Sequence, residues 1–103
     1  MPRSLGYATI AVLKAIAGGA AYGLDIMDRT GLPSGTVYPT LRRLEKRGYL
    51  RARWEAESAA RSEGRPRRRY YRLSGAGEAA LGEAIREYGA WLGGLPPGRP
   101  REA

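Results

Sequence analysis

At Gly48 the hydrophobic period of the chain switches from that of a helix to that of a strand, and this switch restricts the possible folds sharply. In the preceding run SGTVYPTLRRLEKRG, Val37, Leu41 and Leu44 recur at i, i+4 and i+7. That spacing is one buried face of a helix beginning at Pro33 or Ser34. Gly48, just after the basic turn Lys46-Arg47, suits a helix end. In the following YLRARWEAE, Leu50, Ala52 and Trp54 alternate with Arg51, Arg53 and Glu55, which predicts a half-buried strand with the first three inward.

The flanking segments extend this pattern. Ser4 is a suitable N-cap for a first helix whose inner face is Leu5, Ala8, Val12, Leu13 and Ile16, stopped by Gly18-Gly19. A short second helix follows, roughly Tyr22 to Arg29, anchored by Leu24, Ile26 and Met27, with a turn at Thr30-Gly31 and Pro33. SAARSEGRP reads as a loop, and RRRYYRLS alternates again, with Tyr71 and Leu73 opposite Tyr70 and Arg72. Ser74 then caps a helix over roughly Gly75 to Leu92, and the Pro- and Gly-rich tail reads as disordered. The fold class expected is mainly α with a small β-hairpin, in the order α-α-α-β-β-α of a winged helix-turn-helix. Residues 1–74 would form that domain, 75–93 a dimerisation helix and 94–103 a disordered tail.

A chain of 103 residues has length for one small core. Its formal net charge of +8, from 18 Lys+Arg against 10 Asp+Glu, points to a polyanionic partner. Coding bias accounts for Arg outnumbering Lys sixteen to two, but not for the excess of positive charge. The absence of Cys and His removes thiol nucleophiles, Ser-His-Asp triads and structural zinc. The remaining carboxylates are scattered among arginines, so the expectation is no enzyme, no metal and no cofactor. Lack of Cys fits a reducing cytoplasm. The N-terminal run is loosely signal-like, but Lys14 interrupts it and its spacing is helical. No apolar stretch approaches the ~20 residues of a membrane span.

The third helix carries the functional expectation. In a helix-turn-helix this element enters the major groove of double-stranded DNA, N-terminal residues foremost. Ser34, Gly35 and Thr36 are slim, and their N–H groups sit at a helix N-terminus able to bind a phosphate. Tyr38 offers a hydroxyl and a ring; Pro39 is tolerated only near a helix start. With Thr40, Arg42, Arg43, Lys46 and Arg47 these residues are the expected DNA-contacting set. In the wing, Arg65, Arg67 and Arg68 join it, because like charges clustered on a hairpin serve no folding purpose and phosphates do attract them. Arg69 shares the side of Tyr71 and Leu73 and could lie along the core edge instead. Trp54, Tyr71 and Leu73 read as core.

In the last helix Leu81, Ile85, Tyr88 and Leu92 lie at i, i+4, i+7 and i+11, with Ala84 and Trp91 beside them. Only the first turns can reach a core of three helices and a wing, so this stripe is expected to form a homodimer interface. Gross burial of four or five such side chains is worth on the order of 10 kcal/mol, more than association costs. The alternative is that the helix folds back on its own domain.

GTVYPTLRRLEKRGYL resembles the Tyr-Pro-centred motif of PadR-type transcriptional regulators, and Tyr22-Gly23, RRYYRLSGAG and the final amphipathic helix match in order. The resemblance spans roughly Leu5 to Leu92. It implies a homodimeric, operator-binding bacterial repressor, often released by a small apolar or phenolic compound. Tyr38 and the basic residues after it match the recognition helix, and the arginines before Tyr70 match the wing. One helix after the wing marks a short form, so an effector would sit at the dimer interface, walled by Tyr88 and Trp91. A winged-helix module that binds RNA or a protein, without sequence-specific DNA recognition, stays open as the second reading.

Overall fold

The computed structural model describes residues 5–92, with side chains described through Tyr88. Three helices, α1 (Tyr7–Ala17), α2 (Gly23–Thr30) and α3 (Ser34–Lys46), precede strand β1 (Leu50–Trp54). A short helix α4 (Glu57–Ser62), strand β2 (Arg69–Leu73) and helix α5 (Gly75–Leu92) follow. The order is that of a winged helix-turn-helix, with one added helical turn inside the wing.

Each boundary has a local cause. Helix α2 ends at Gly31, whose φ of 73° is the left-handed conformation that ends helices, and whose N–H donates to the Met27 carbonyl. The Thr30 hydroxyl donates to the Ile26 carbonyl and accepts from the Leu32 N–H, fixing the turn into α3. Helix α3 ends at Gly48, φ 83°, with the Tyr49 N–H returning to the Leu44 carbonyl. Ser74 caps α5 as expected: its hydroxyl accepts from the Gly77 N–H at 3.0 Å and donates to the Gly48 carbonyl. The Ser4 cap expected for α1 lies outside the described residues; Gly6 occupies the N-cap.

One core joins these elements. Val12, Leu13 and Ile16 of α1 meet Ile26, Val37, Leu41 and Leu44 from the helix-turn-helix, Leu50 of β1 and Leu81 of α5. Fully burying such a side chain contributes roughly 1.5–3 kcal/mol, so this cluster dominates stability. The strands pair antiparallel from Leu50↔Leu73 to Trp54↔Arg69. The chain before α2 adds a bridge, Tyr22↔Tyr70, and the Tyr71 N–H donates to the Ala21 carbonyl at 2.7 Å.

Four expectations need correction. SAARSEGRP is not all loop, because Glu57–Ser62 form α4, with Ala60 buried. Leu24 is 62% exposed, since two residues from Ile26 on a helix point to the opposite side. Trp54 is 53% exposed: alternation gave its side of the sheet, but β1 outruns the core there. Glu55 is buried, although alternation places it on the outward side with Arg51 and Arg53, because the returning wing folds over it.

Candidate nucleic-acid interface

Helix α3 starts without a side-chain cap. The Thr36 and Val37 N–H groups both donate to the Pro33 carbonyl, which leaves those of Ser34 and Gly35 outside the helical ladder at its positive end. Ser34 and Gly35 are exposed and Thr36 half-exposed. Pro39 lies inside an unbroken helix. Its missing N–H leaves the Gly35 carbonyl without its ladder partner, tolerable because Gly35 is open to water.

Tyr38 is held by a close approach. Gly23 is buried, and a Cβ there would collide with the Tyr38 ring and hydroxyl. The ring therefore lies on bare backbone at the start of α2, still 38% exposed. This explains why Tyr22-Gly23 accompanies the Tyr-Pro run: the glycine is the seat of the tyrosine.

Arg42, Arg43, Lys46 and Arg47 are exposed, and among the described residues none forms an ion pair. Glu45, in the last turn of α3, is instead bound by Arg69 at 2.8 Å, tying the helix to β2. Thr40 does not belong to the exposed set. It is fully buried between Val37 and Leu44 on the inner face, and its hydroxyl accepts from Arg43 Nη2 at 3.2 Å.

The wing arginines divide into two kinds. Arg65 is committed internally: its two terminal nitrogens donate to the two Glu55 oxygens at 2.7 and 2.8 Å, a bidentate pair. The Arg68 N–H adds 3.1 Å to Oε1, and Arg67 Nε donates to the Glu55 carbonyl at 2.9 Å. Hydrogen bonding by Arg65, with help from the Arg68 backbone and charge and against the cost of burial, lowers the Glu55 carboxyl to about 2. The same pair pushes the Arg65 guanidinium upward. Burial raises the Tyr71 phenol. The expectation that Arg65 reaches DNA is therefore replaced by a clasp that closes the far end of the hairpin, just past Trp54↔Arg69. Arg67 is exposed and Arg68 half-exposed, neither in an ion pair among the described residues, and they lie over the Trp54 ring at 5.5 Å and the Tyr22 ring at 4.0 Å. Arg69 also flanks Trp54, at 5.2 Å, and so follows the core-edge reading.

The stripe of α5 divides as well. Leu81 and Ala84 are buried within the subunit, Leu81 in the central cluster, so neither is available to a partner. Ile85 and Tyr88 remain exposed at 47% and 38%. The side chains of Trp91 and Leu92 lie outside the described residues. Sequence reasoning did not foresee Glu55 or the seating role of Gly23. Gly64-Arg65-Pro66 signals a tight return toward Glu55, but alternation alone could not pair them.

Three helices, an antiparallel wing with an arginine-lined tip and an exposed basic third helix define a winged helix-turn-helix regulator. The chain belongs to the transcriptional regulator PadR-like family, which matches residues 12–83. Regulators of that family are transcription factors rather than enzymes. Among solved structures it is similar to smu.1704 of Streptococcus mutans, at 28% identity over 100% of both chains with a TM-score of 0.72. A PadR-like transcription factor of Bacteroides fragilis shares 27% identity over 82% of each chain, TM-score 0.70. BpsR of Bordetella bronchiseptica, whose DNA binding is regulated by 6-hydroxynicotinic acid, shares 25% over 94% of this chain and 73% of that one, TM-score 0.67. No curated protein matches the sequence.

Proposed function

We propose that the protein is a sequence-specific DNA-binding regulator, a repressor acting as a homodimer on a palindromic operator. The observation that carries this reading is the outward side of α3. It joins the free N–H groups of Ser34 and Gly35, a seated Tyr38, Pro39, and four basic side chains without carboxylate partners. Thr36 borders this surface. Phosphates bind the helix N-terminus and the cations, and Tyr38 stands where a base edge or phosphate arrives. Arg67 and Arg68 supply the wing contacts, while Arg65 keeps the wing in place.

In the same proposal the DNA-binding domain ends at Ser74 and α5 makes the dimer through Ile85, Tyr88, Trp91 and Leu92. A small aromatic or apolar effector, of the kind to which BpsR responds, would bind beside that interface and change the spacing of the two α3 helices. Among the described residues no helix is long and apolar enough to cross a membrane.

Competition between a selected duplex, random duplex and RNA tests the reading. Preference for the selected duplex by at least ~10³-fold at physiological salt, lost in Tyr38→Ala with the fold retained, is the expected result. Equal affinity for all three competitors, weakening steeply with salt, would establish instead a module without sequence recognition.

A further inference from the structure

The hairpin has a second face. Leu50, Ala52, Tyr71 and Leu73 share one side of the sheet; Arg51, Arg53, Tyr70 and Arg72 share the other. Arg51 and Arg72 are direct cross-strand partners, which brings their Cβ atoms to about 4.5–5.5 Å and makes the pair repulsive. Arg51, Arg53 and Arg72 are all exposed. Among the described residues no carboxylate forms an ion pair with any of them, whereas Arg65 and Arg69 on the same hairpin are both neutralised. Strand pairing would proceed better with a carboxylate at either position 51 or 72, so folding does not account for this arrangement. The three arginines border a shallow concavity of about 510 Å³ together with Ala21, Tyr70 and Tyr71. The Arg53 guanidinium lies 4.8 Å over the Tyr70 ring, which holds it at the surface.

We infer that this face binds the sugar–phosphate backbone of duplex DNA flanking the operator, with Arg51, Arg53 and Arg72 each taking a phosphate. The inference rests on the regulator reading above. A duplex seated on α3 meets the wing first, because β1 leaves α3 directly through Arg47–Tyr49, and the face turned away from the helices is reached by DNA beyond the half-site. Charge selects a polyanion over a small acid. One carboxylate would neutralise one of three cations, while successive phosphates neutralise all of them. Small-molecule sites are also deeper and enclose most of their ligand, whereas this concavity is open to solvent.

The test uses a duplex selected from a random pool and trimmed to its two enriched half-sites, and the same duplex lengthened by about one helical turn at each end. The intact protein should bind the longer duplex at least tenfold more tightly at low salt. Its slope of log K against log salt should steepen by about 2.7 per subunit, three phosphates at ~0.9 each. The variant Arg51→Gln/Arg53→Gln/Arg72→Gln should bind both duplexes alike and keep the affinity of the intact protein for the short one. Flank-independent binding by an intact protein that does prefer the short duplex overturns this inference alone, and needs no variant to fold. A triple variant that keeps the flank effect also overturns it, as does one that loses only a response to a small aromatic carboxylate such as 4-hydroxybenzoate. Failure to prefer the short duplex over random DNA removes the regulator reading and this inference together.

Discussion

Replacing Gly23 with alanine separates the display of Tyr38 from the stability of the fold. A Cβ at position 23 would stand 2.5 Å from Tyr38 Cε1 and 2.6 Å from Cζ, against an ordinary contact of 3.4 Å or more. The Tyr38 hydroxyl would be closer still, so the ring must retreat by at least about 1 Å, and it can, because its outer side is open to solvent. The lost ring contact is offset by the better helix propensity of alanine in α2, up to about 1 kcal/mol. Net stability should change by no more than about 1 kcal/mol, a shift in Tm of at most ~4–8 °C for a domain of this size. DNA binding has no such compensation. A hydrogen bond from Tyr38 to a phosphate is worth about 1.5–3 kcal/mol, so its displacement should cost roughly 10- to 150-fold in affinity. Fluorescence anisotropy with a selected duplex, beside thermal unfolding, measures both quantities. Gly23→Ala should approach the binding loss of Tyr38→Ala with a near-wild-type Tm. Undiminished DNA affinity at that Tm would refute the seating argument, and so would a fall in Tm well beyond 10 °C.

Other perturbations follow from the same contacts. Gly77→Ala drives a Cβ into the Tyr49 backbone carbonyl, which cannot swing aside, so differential scanning calorimetry should show a loss of about 1–3 kcal/mol. Arg65→Ala and Glu55→Gln should each weaken DNA binding with an unchanged salt slope, because the clasp positions the wing without touching phosphate; Arg67→Ala should reduce the slope by about 1. Glu55 is held at about 2, below the ordinary 4.5, so its stabilisation is complete above that value and is lost as pH falls from 4.5 through 2. Thermal unfolding across that range should be flatter in Glu55→Gln. Thr40→Val should leave DNA affinity within twofold, since the side chain is buried, and an altered base preference would return it to the interface.

Much of this architecture is legible in the sequence because periodicity reports directly on burial. Val37, Leu41 and Leu44 fix the inner face of α3, and Ser74 fixes the start of α5 through a hydroxyl that both caps the helix and binds Gly48. The misreadings share a different cause. Alternation assigns a side chain to a side of the sheet but does not say what covers it. Trp54 is on the inward side yet beyond the core, flanked by Arg67 and Arg69; Glu55 is on the outward side yet covered by Arg65. Charge counts likewise could not distinguish Arg65, spent within the wing, from Arg67 and Arg68. Thr40 was grouped with the residues around it by position, whereas its spacing of three from Val37 and four from Leu44 places it inside. In α5 the apolar stripe is continuous in sequence, but the domain covers Leu81 and Ala84 and leaves Ile85 and Tyr88 open.

Selection of bound duplexes from a random pool at cell-like ionic strength, with the mass of the resulting complex measured, tests the central claim most directly. The account predicts an enriched sequence with two-fold symmetry, half-sites about 10 bp apart, and two protein chains per duplex. A pool that stays random, on a protein that remains monomeric, would contradict it.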